Sequence, residues 1–240
     1  MERLDKILSS QGVCSRKEVK NFIKNNRIKV NGVCPTRSDL KLNPECDIIE
    51  IDGEKLDYRK YIYIMMNKPK GVLSASADSR AETVIDLLPE NMKRRNLFPA
   101  GRLDKDTTGL LIITDDGEFA HNMLSPKKHV WKLYHTALDN PLSDGQKQIL
   151  ESGITLSDGT EYKAARIFFP DENNRLSVNI EISEGKFHQV KKMFEFVNLT
   201  VLELERLRIG NLFLDKNLKS GECRLLSNDE LLMILHSNNS

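Results

Sequence analysis

The residues best placed for chemistry lie in one turn, Gly101-Arg102-Leu103-Asp104-Lys105-Asp106-Thr107-Thr108-Gly109, which leads into the apolar run Leu110 to Thr114. Asp104 stands between Arg102 and Lys105, and nearby positive charge favours an ionised carboxylate. Such a group suits nucleophilic or electrostatic work better than proton donation. The plainer alternative is a turn aspartate that accepts backbone hydrogen bonds. Two other stretches bear on the choice. Lys127-Lys128-His129-Val130-Trp131-Lys132-Leu133-Tyr134 interleaves cations with aromatics, the combination that unstacked nucleobases require. Trp131 reads as core, whereas Tyr134 fits either role. Further on, Glu184-Gly185-Lys186-Phe187-His188-Gln189-Val190-Lys191-Lys192 passes from a strand through a glycine turn into a helix. Lysines at a helix start oppose its dipole, so Lys191 and Lys192 call for an anion, either a carboxylate or an RNA phosphate.

The elements that must hold these residues follow from periodicity. Leu4, Ile7 and Leu8 form one helical stripe that Gly12 can end. Ser15-Arg16-Lys17-Glu18 is a capping box for a second helix, with Val19, Phe22 and Ile23 buried and Arg16, Lys17, Lys20 and Lys24 toward solvent. Ile28-Lys29-Val30 before Asn31-Gly32 predicts a hairpin, and Ile48 to Ile51 before Asp52-Gly53 repeats the signal. Residues 57–60 form a polar joint. Beyond it, Tyr61 to Met66 predicts a strand, stopped by a basic turn, Asn67-Lys68-Pro69-Lys70-Gly71, in which Lys68 either sits in water or faces phosphate. Glu118 to Leu124 suits a short helix, Leu231 to Leu235 a closing one, and His236 to Ser240 a frayed tail.

Bulk properties narrow the class. The chain has 240 residues, 39% hydrophobic and 30% charged, which is enough to bury a core. No apolar run approaches the length of a membrane span, and the start lacks the pattern of a secretory signal. The four cysteines form no Cys-x-x-Cys pair and read as reduced thiols, so a cytoplasmic protein is expected. A net charge of +1 hides an asymmetry: residues 1–42 carry ten Lys or Arg against four acids. A basic head on a neutral chain points to a polyanion held at one end, although charge alone favours a solvated face.

Two resemblances sharpen this. Arg3-Leu4-Asp5-Lys6, Cys14-Ser15-Arg16-Lys17-Glu18 and Ile28-Lys29-Val30-Asn31-Gly32 resemble the RNA-binding module named after small-subunit ribosomal protein S-four. That likeness implies RNA contacts at Arg3, Arg16, Lys17 and Lys20. Asn67-Lys68-Pro69-x-Gly71, Gly101-Arg102-Leu103-Asp104, Lys132-x-Tyr134, Glu184-Gly185 through Lys191, and Arg206-x-x-Ile209-Gly210 resemble, in order, the pseudouridine synthases acting on ribosomal RNA, in the small-subunit synthase A group. Five spaced blocks in order are far more specific than any one of them.

The resemblance implies an α+β protein: a small α/β RNA-binding domain over residues 1–58, then a catalytic domain over 59–240 with a mainly antiparallel mixed sheet. It assigns Asp104 as the catalytic aspartate, Tyr134 as the aromatic against the target base and Lys191 as the partner of the aspartate. Arg102 would help fill the space the flipped nucleotide leaves, while Lys68 and Lys192 join the RNA contacts. Lys191 departs from the arginine usual in the wider superfamily, which keeps the charge and loses the bidentate fork. Because the product is an isomer, no cofactor or metal is expected, and a monomer acting on ribosomal RNA or an assembling small subunit is the natural form. The alternatives are a large-subunit relative, a non-catalytic ribosomal RNA-binding assembly factor, and a magnesium-dependent phosphohydrolase. The last rests on Asp104-x-Asp106-x-Thr108, but the preceding Leu97 to Arg102 holds Pro, Gly and Arg where that motif needs a buried strand.

Overall fold

The computed structural model describes residues 1–125 and 127–235; the tail expected over His236 to Ser240 lies outside them. The chain forms two compact units, one of Met1–Ile62 with Leu88–Leu97 and one of Tyr63–Leu87 with the chain from Phe98 onward.

The first unit contains β1 (Glu2–Arg3), α1 (Leu4–Ser10), α2 (Val19–Lys24), β2 (Ile28–Val30), β3 (Lys41–Leu42), β4 (Ile49–Ile51) and β5 (Glu54–Lys55). Leu4, Ile7, Leu8, Val19, Ile28, Leu42 and Ile49 make its core, with Phe22 and Ile23 packed against it. The capping box forms: Ser15 N–H donates to Glu18 Oε2 at 2.7 Å, and Glu18 N–H to Ser15 Oγ at 3.4 Å. Helix α2 starts only after that box, so Arg16 and Lys17 sit on the turn before it and Lys20 on the helix itself. The hairpin expected at Asn31-Gly32 shrinks to one bridge, Val30 to Val33, and β2 pairs instead with β4. Asn31 and Gly32 do take the positive φ of a tight turn, but Pro35 soon follows and cannot donate to a ladder.

The second unit holds β6 (Tyr63–Lys68), β7 (Phe98–Ala100), β8 (Thr108–Thr114), α3 (Gly117–Leu124), β9 (Lys132–Leu138), α4 (Asp144–Ser152), β10 (Ile154–Thr155), β11 (Glu161–Tyr162) and β12 (Arg166–Phe168). It continues with β13 (Ser177–Ile182), α5 (Gln189–Phe196), β14 (Val201–Ile209), β15 (Leu212–Phe213), β16 (Cys223–Leu225) and α6 (Asn228–Leu235). A nine-stranded sheet runs in the order β12-β13-β9-β14-β8-β6-β16, with β15 on β14 and β7 on β8. Of these pairings only β14 with β8 is parallel, so the fold is α+β with a mainly antiparallel mixed sheet.

Side chains alternate faces along a strand. Leu110, Ile112 and Met65 therefore share one face, where Phe119, Ala120 and Met123 of α3 and Ile234 of α6 cover them. Asp116 caps α3 through Oδ1, which accepts from Glu118 and Phe119 N–H, while its Oδ2 accepts from Tyr63 Oη at 2.6 Å. Strand β6 runs on through Asn67 and Lys68, where the sequence pattern predicts a turn; the ladder with β8 reaches Lys68 opposite Gly109. Trp131 is half-buried rather than core, with the Arg166 guanidinium 4.3 Å from its ring.

Candidate active site

The turn between Gly101 and Thr107 is short and irregular, so its shape depends on what its backbone bonds to. Ser74 Oγ donates to Leu103 O at 2.8 Å and accepts from Leu103 N–H at 3.1 Å, and Leu103 is buried beneath the turn. Gly71 N–H donates to Lys105 O at 2.7 Å. Thr107 N–H donates back to Asp104 O at 3.1 Å. Lys68 completes the frame from inside: its ammonium donates to Pro69 O and Thr107 O at 3.0 Å, and to Lys105 O at 3.4 Å. Lys68 is wholly buried, which corrects its assignment as an RNA contact. Burial pushes its pKa down to about 8, against the pull of Asp106 and Asp104. Turn carbonyls inside a fold need donors, and a lysine supplies three.

Around this frame the side chains gather. Lys191, one turn into α5, places Nζ 2.7 and 2.8 Å from the two oxygens of Asp106 and 3.5 Å from Asp104 Oδ2. The Lys191 bond holds the Asp106 carboxyl below its ordinary range. His188 Nε2 lies 3.4 Å from the other Asp104 oxygen. His188 caps α5 from a left-handed backbone, φ 54° and ψ 27°, unusual for a residue with a side chain. Glu184 steadies that bend: its buried carboxylate accepts from Lys163 N–H at 3.0 Å and Gln189 Nε2 at 3.2 Å, and faces Lys186 Nζ at 3.4 Å.

Tyr134 joins the site through the sheet. Lys68, Gly109, Arg206 and Tyr134 stand in register across β6, β8, β14 and β9. In-register neighbours point to the same face. Since Lys68 reaches the Asp104 turn from that face, Tyr134 and the turn share it. Gly109 has φ +96°, and a Cβ there would strike the backbone N and O of Arg206, so only glycine lets β8 and β14 approach this closely. Arg206 is buried, donates from Nε to Leu110 O at 2.7 Å, and brings a guanidinium nitrogen 3.5 Å from Tyr134 Oη. Its Nη2 has no hydrogen-bond partner among the described residues. Lys132 is buried close by, and burial first, then the Arg206 charge, push its pKa down to about 8.

Comparison with known proteins bears on what this arrangement is. Residues 62–196, more than half of the chain, match the family model for RNA pseudouridylate synthases. The chain belongs to the RNA pseudouridine synthases. Residues 2–48 of this synthase match the S4 domain. It is 44% identical over 234 residues to an uncharacterized RNA pseudouridine synthase, YtzG, of Bacillus subtilis, spanning 97% of this chain and 98% of that one. Ribosomal small subunit pseudouridine synthase A of Escherichia coli K12 is 37% identical over 237 residues, 97% of this chain and all of that one. A solved pseudouridylate synthase structure superposes with a TM-score of 0.66 at 32% identity, over 98% of this chain and all of that one.

The synthase brings Asp104 and Lys191 together and links Tyr134 to them through Arg206 and Gly109. Tyr134 is almost fully buried, with 7% of its surface exposed. Lys192 points elsewhere, with Nζ 5.7 Å from the centre of the Phe187 ring. Arg102 is exposed on the turn. Arg16, Lys17 and Lys20 are exposed too, whereas Arg3 is held by Asp5 at 2.6 Å. Sequence reasoning missed Asp106 as the nearer partner of Lys191, and gave no role to His188, Arg206 or Ser74. Arg206 did carry a signal, its place at the head of the Arg206-x-x-Ile209-Gly210 block. Among the described residues no helix is long and apolar enough to cross a membrane.

Proposed function

We propose that this synthase converts a uridine of small-subunit ribosomal RNA, uridine 516 of the 16S molecule, into pseudouridine. The observation that supports it most is the Asp104 carboxylate, framed by Ser74 and Lys68 beneath and by Lys191 and His188 beside it. Uridine leaves its stack at a cost of a few kcal/mol, less in a loop. Asp104 then either attacks C1′, forming an ester bond that breaks when C5 takes its place, or takes the 2′ proton as the base departs and returns it to C2′ when the base adds back through C5. In either route the C1′–N1 bond breaks, the uracil turns, and C1′ joins C5. The C5 proton is lost and N1 gains one, so atoms balance without a co-reactant. Lys191, shared between Asp106 and Asp104, holds the carboxylate in place, and Tyr134 packs on the base. The exposed cations Arg16, Lys17 and Lys20 of the S4-like unit, with Arg3, Arg102 and Lys192, meet phosphate.

The test is tritium release from 16S RNA transcribed with 5-tritiated uridine, followed by mapping of the modified position. Release confined to one small-subunit site and absent with Asp104→Asn is expected. Release from large-subunit RNA would transfer the protein to the large-subunit group. No release from RNA or from small-subunit particles would defeat the proposal.

A further inference from the structure

Phe187 is out of place for a core side chain. It sits at the bend into α5 with 72% of its surface exposed, the most open aromatic ring of the synthase among the described residues. The ring is not loose. It lies flat on His188, centroids 3.8 Å apart and planes 19° from parallel, and His188 in turn touches Asp104. The Lys192 ammonium borders the same ring at 5.7 Å. An exposed, oriented aromatic edged by an ammonium matches what single-stranded nucleic acid requires, a π-face for a base and a cation for its phosphate. The left-handed backbone of His188 is what turns the two rings face to face, and Glu184 and Gln189 hold that bend.

We propose that Phe187 is the stacking platform for one RNA base next to the flipped uridine, forming a column of base, Phe187 and His188 that ends on Asp104. This rests on the proposed function and adds the substrate feature that is read beside the target: an unpaired neighbouring nucleotide whose base is free to stack. The column ties recognition of that neighbour to the position of the His188 imidazole, so a properly stacked neighbour presses His188 toward Asp104. An isolated surface aromatic would do neither.

The experiment uses the full chain and a short RNA hairpin carrying the target, with each nucleotide flanking the target replaced in turn by an abasic residue. Affinity is read with the Asp104→Asn background, and turnover with the otherwise unaltered protein. One abasic position is expected to weaken binding by roughly 5- to 150-fold, the range for loss of one base-to-aromatic stack. Phe187→Ala should weaken binding to intact RNA by a similar factor and make the protein indifferent to that same abasic position. Phe187→Trp should restore both affinity and the dependence on that position, whereas Phe187→Leu, apolar but without a π-face, should not. 2-Aminopurine at the position should be quenched on binding to the Phe187 protein and not to Phe187→Ala. If the losses from Phe187→Ala and from every abasic position simply multiply, or if Phe187→Leu equals the parent, the platform does not exist. Turnover by the unaltered protein keeps the two ideas separate: its absence on both intact RNA and small-subunit particles would sink the proposed function, whereas its presence with independent losses sinks only the platform.

Discussion

Two groups of cations, one in each unit of this synthase, hold their positive charge in opposite ways. In the first, Arg16, Lys17 and Lys20 stand in solvent, none in an ion pair among the described residues, on a turn and helix whose cores are apolar. In the second, Lys68, Lys132 and Arg206 are buried, and Lys191 is clasped by two carboxylates. Exposed charges act over several ångströms, add together and fade with salt. Buried ones act at one distance and fail singly, since removing a partner leaves its counterpart unsatisfied. The difference separates a surface of free charges from a site of fixed geometry, and it can be broken from either side.

The largest effect is expected at Asp104. Asp104→Asn preserves shape and hydrogen-bonding size while removing the charge, so turnover should fall to background with RNA affinity nearly intact. Normal turnover by the purified variant would end its assignment. Next comes Lys191, whose loss leaves Asp104 and Asp106 without the cation they share. Lys191→Met should fold, bind RNA and lose on the order of 10²- to 10³-fold in kcat, comparable to removing one charge-stabilising donor from an active site. Lys191→Arg should keep much of the rate. Lys192→Met should mainly weaken binding, because its ammonium borders Phe187 and not Asp104. The reverse pattern for the two lysines would mean that the wrong one has been placed in the site.

The parts of this site that were legible in the sequence are those whose signal is local. The Asp104 turn stood out because charged residues and glycines precede an apolar run, and the α5 lysines because cations at a helix start need an anion. The Ser15 to Glu18 box follows from short-range hydrogen bonding and formed as expected. What was not legible depends on distant backbone. Lys68 reads as a turn lysine because the sequence does not reveal that three carbonyls, which any residue can provide, will surround its ammonium. Asn31-Gly32 makes a turn, but its strand chooses β4, almost twenty residues away, as partner. Arg206 finds Tyr134 only through strand order, and Lys191 chooses Asp106 over Asp104 by a difference in reach of under an ångström. Alternation and capping are inscribed residue by residue; which turn meets which helix is decided by the sheet.

Lys132 sharpens the contrast through stability rather than rate. Its folded pKa, pushed to about 8, lies below the ordinary 10.5, so the unfolded chain binds more protons between those values. The penalty for a charged Lys132 is therefore complete below about pH 8 and is released as pH rises toward 10.5. Lys132→Met removes that charge. The variant should be more stable than the parent at pH 7 by up to about 3 kcal/mol, following about 1.4 kcal/mol per pKa unit. The gap should close by about pH 10.5 in equilibrium denaturation. A gap that stays constant with pH would show that Lys132 is charged throughout and has an anion to hold it.

The smallest effect per residue belongs to the exposed cations, where the test is salt dependence. Each phosphate that the protein no longer neutralises lowers the slope of log affinity against log salt by roughly 0.7 for single strands and 0.9 for duplex. Replacing Arg16, Lys17 and Lys20 together by Gln should reduce that slope by roughly 2 if all three meet phosphate. kcat at saturating RNA should stay unchanged. Substitution is preferable to deleting residues 1–58, because residues 88–97 cluster with that unit: Arg94 donates to Arg59 O and Lys60 O at 3.0 and 2.9 Å. Arg3 provides an internal control. It already donates twice to Asp5, at 3.1 and 2.6 Å, and must loosen that pair to reach a phosphate. Arg3→Gln should therefore move the slope less than any one of the other three. A triple variant with the parent's slope would reduce the basic face of the first unit to solvated surface and leave the second unit to supply affinity as well as chemistry.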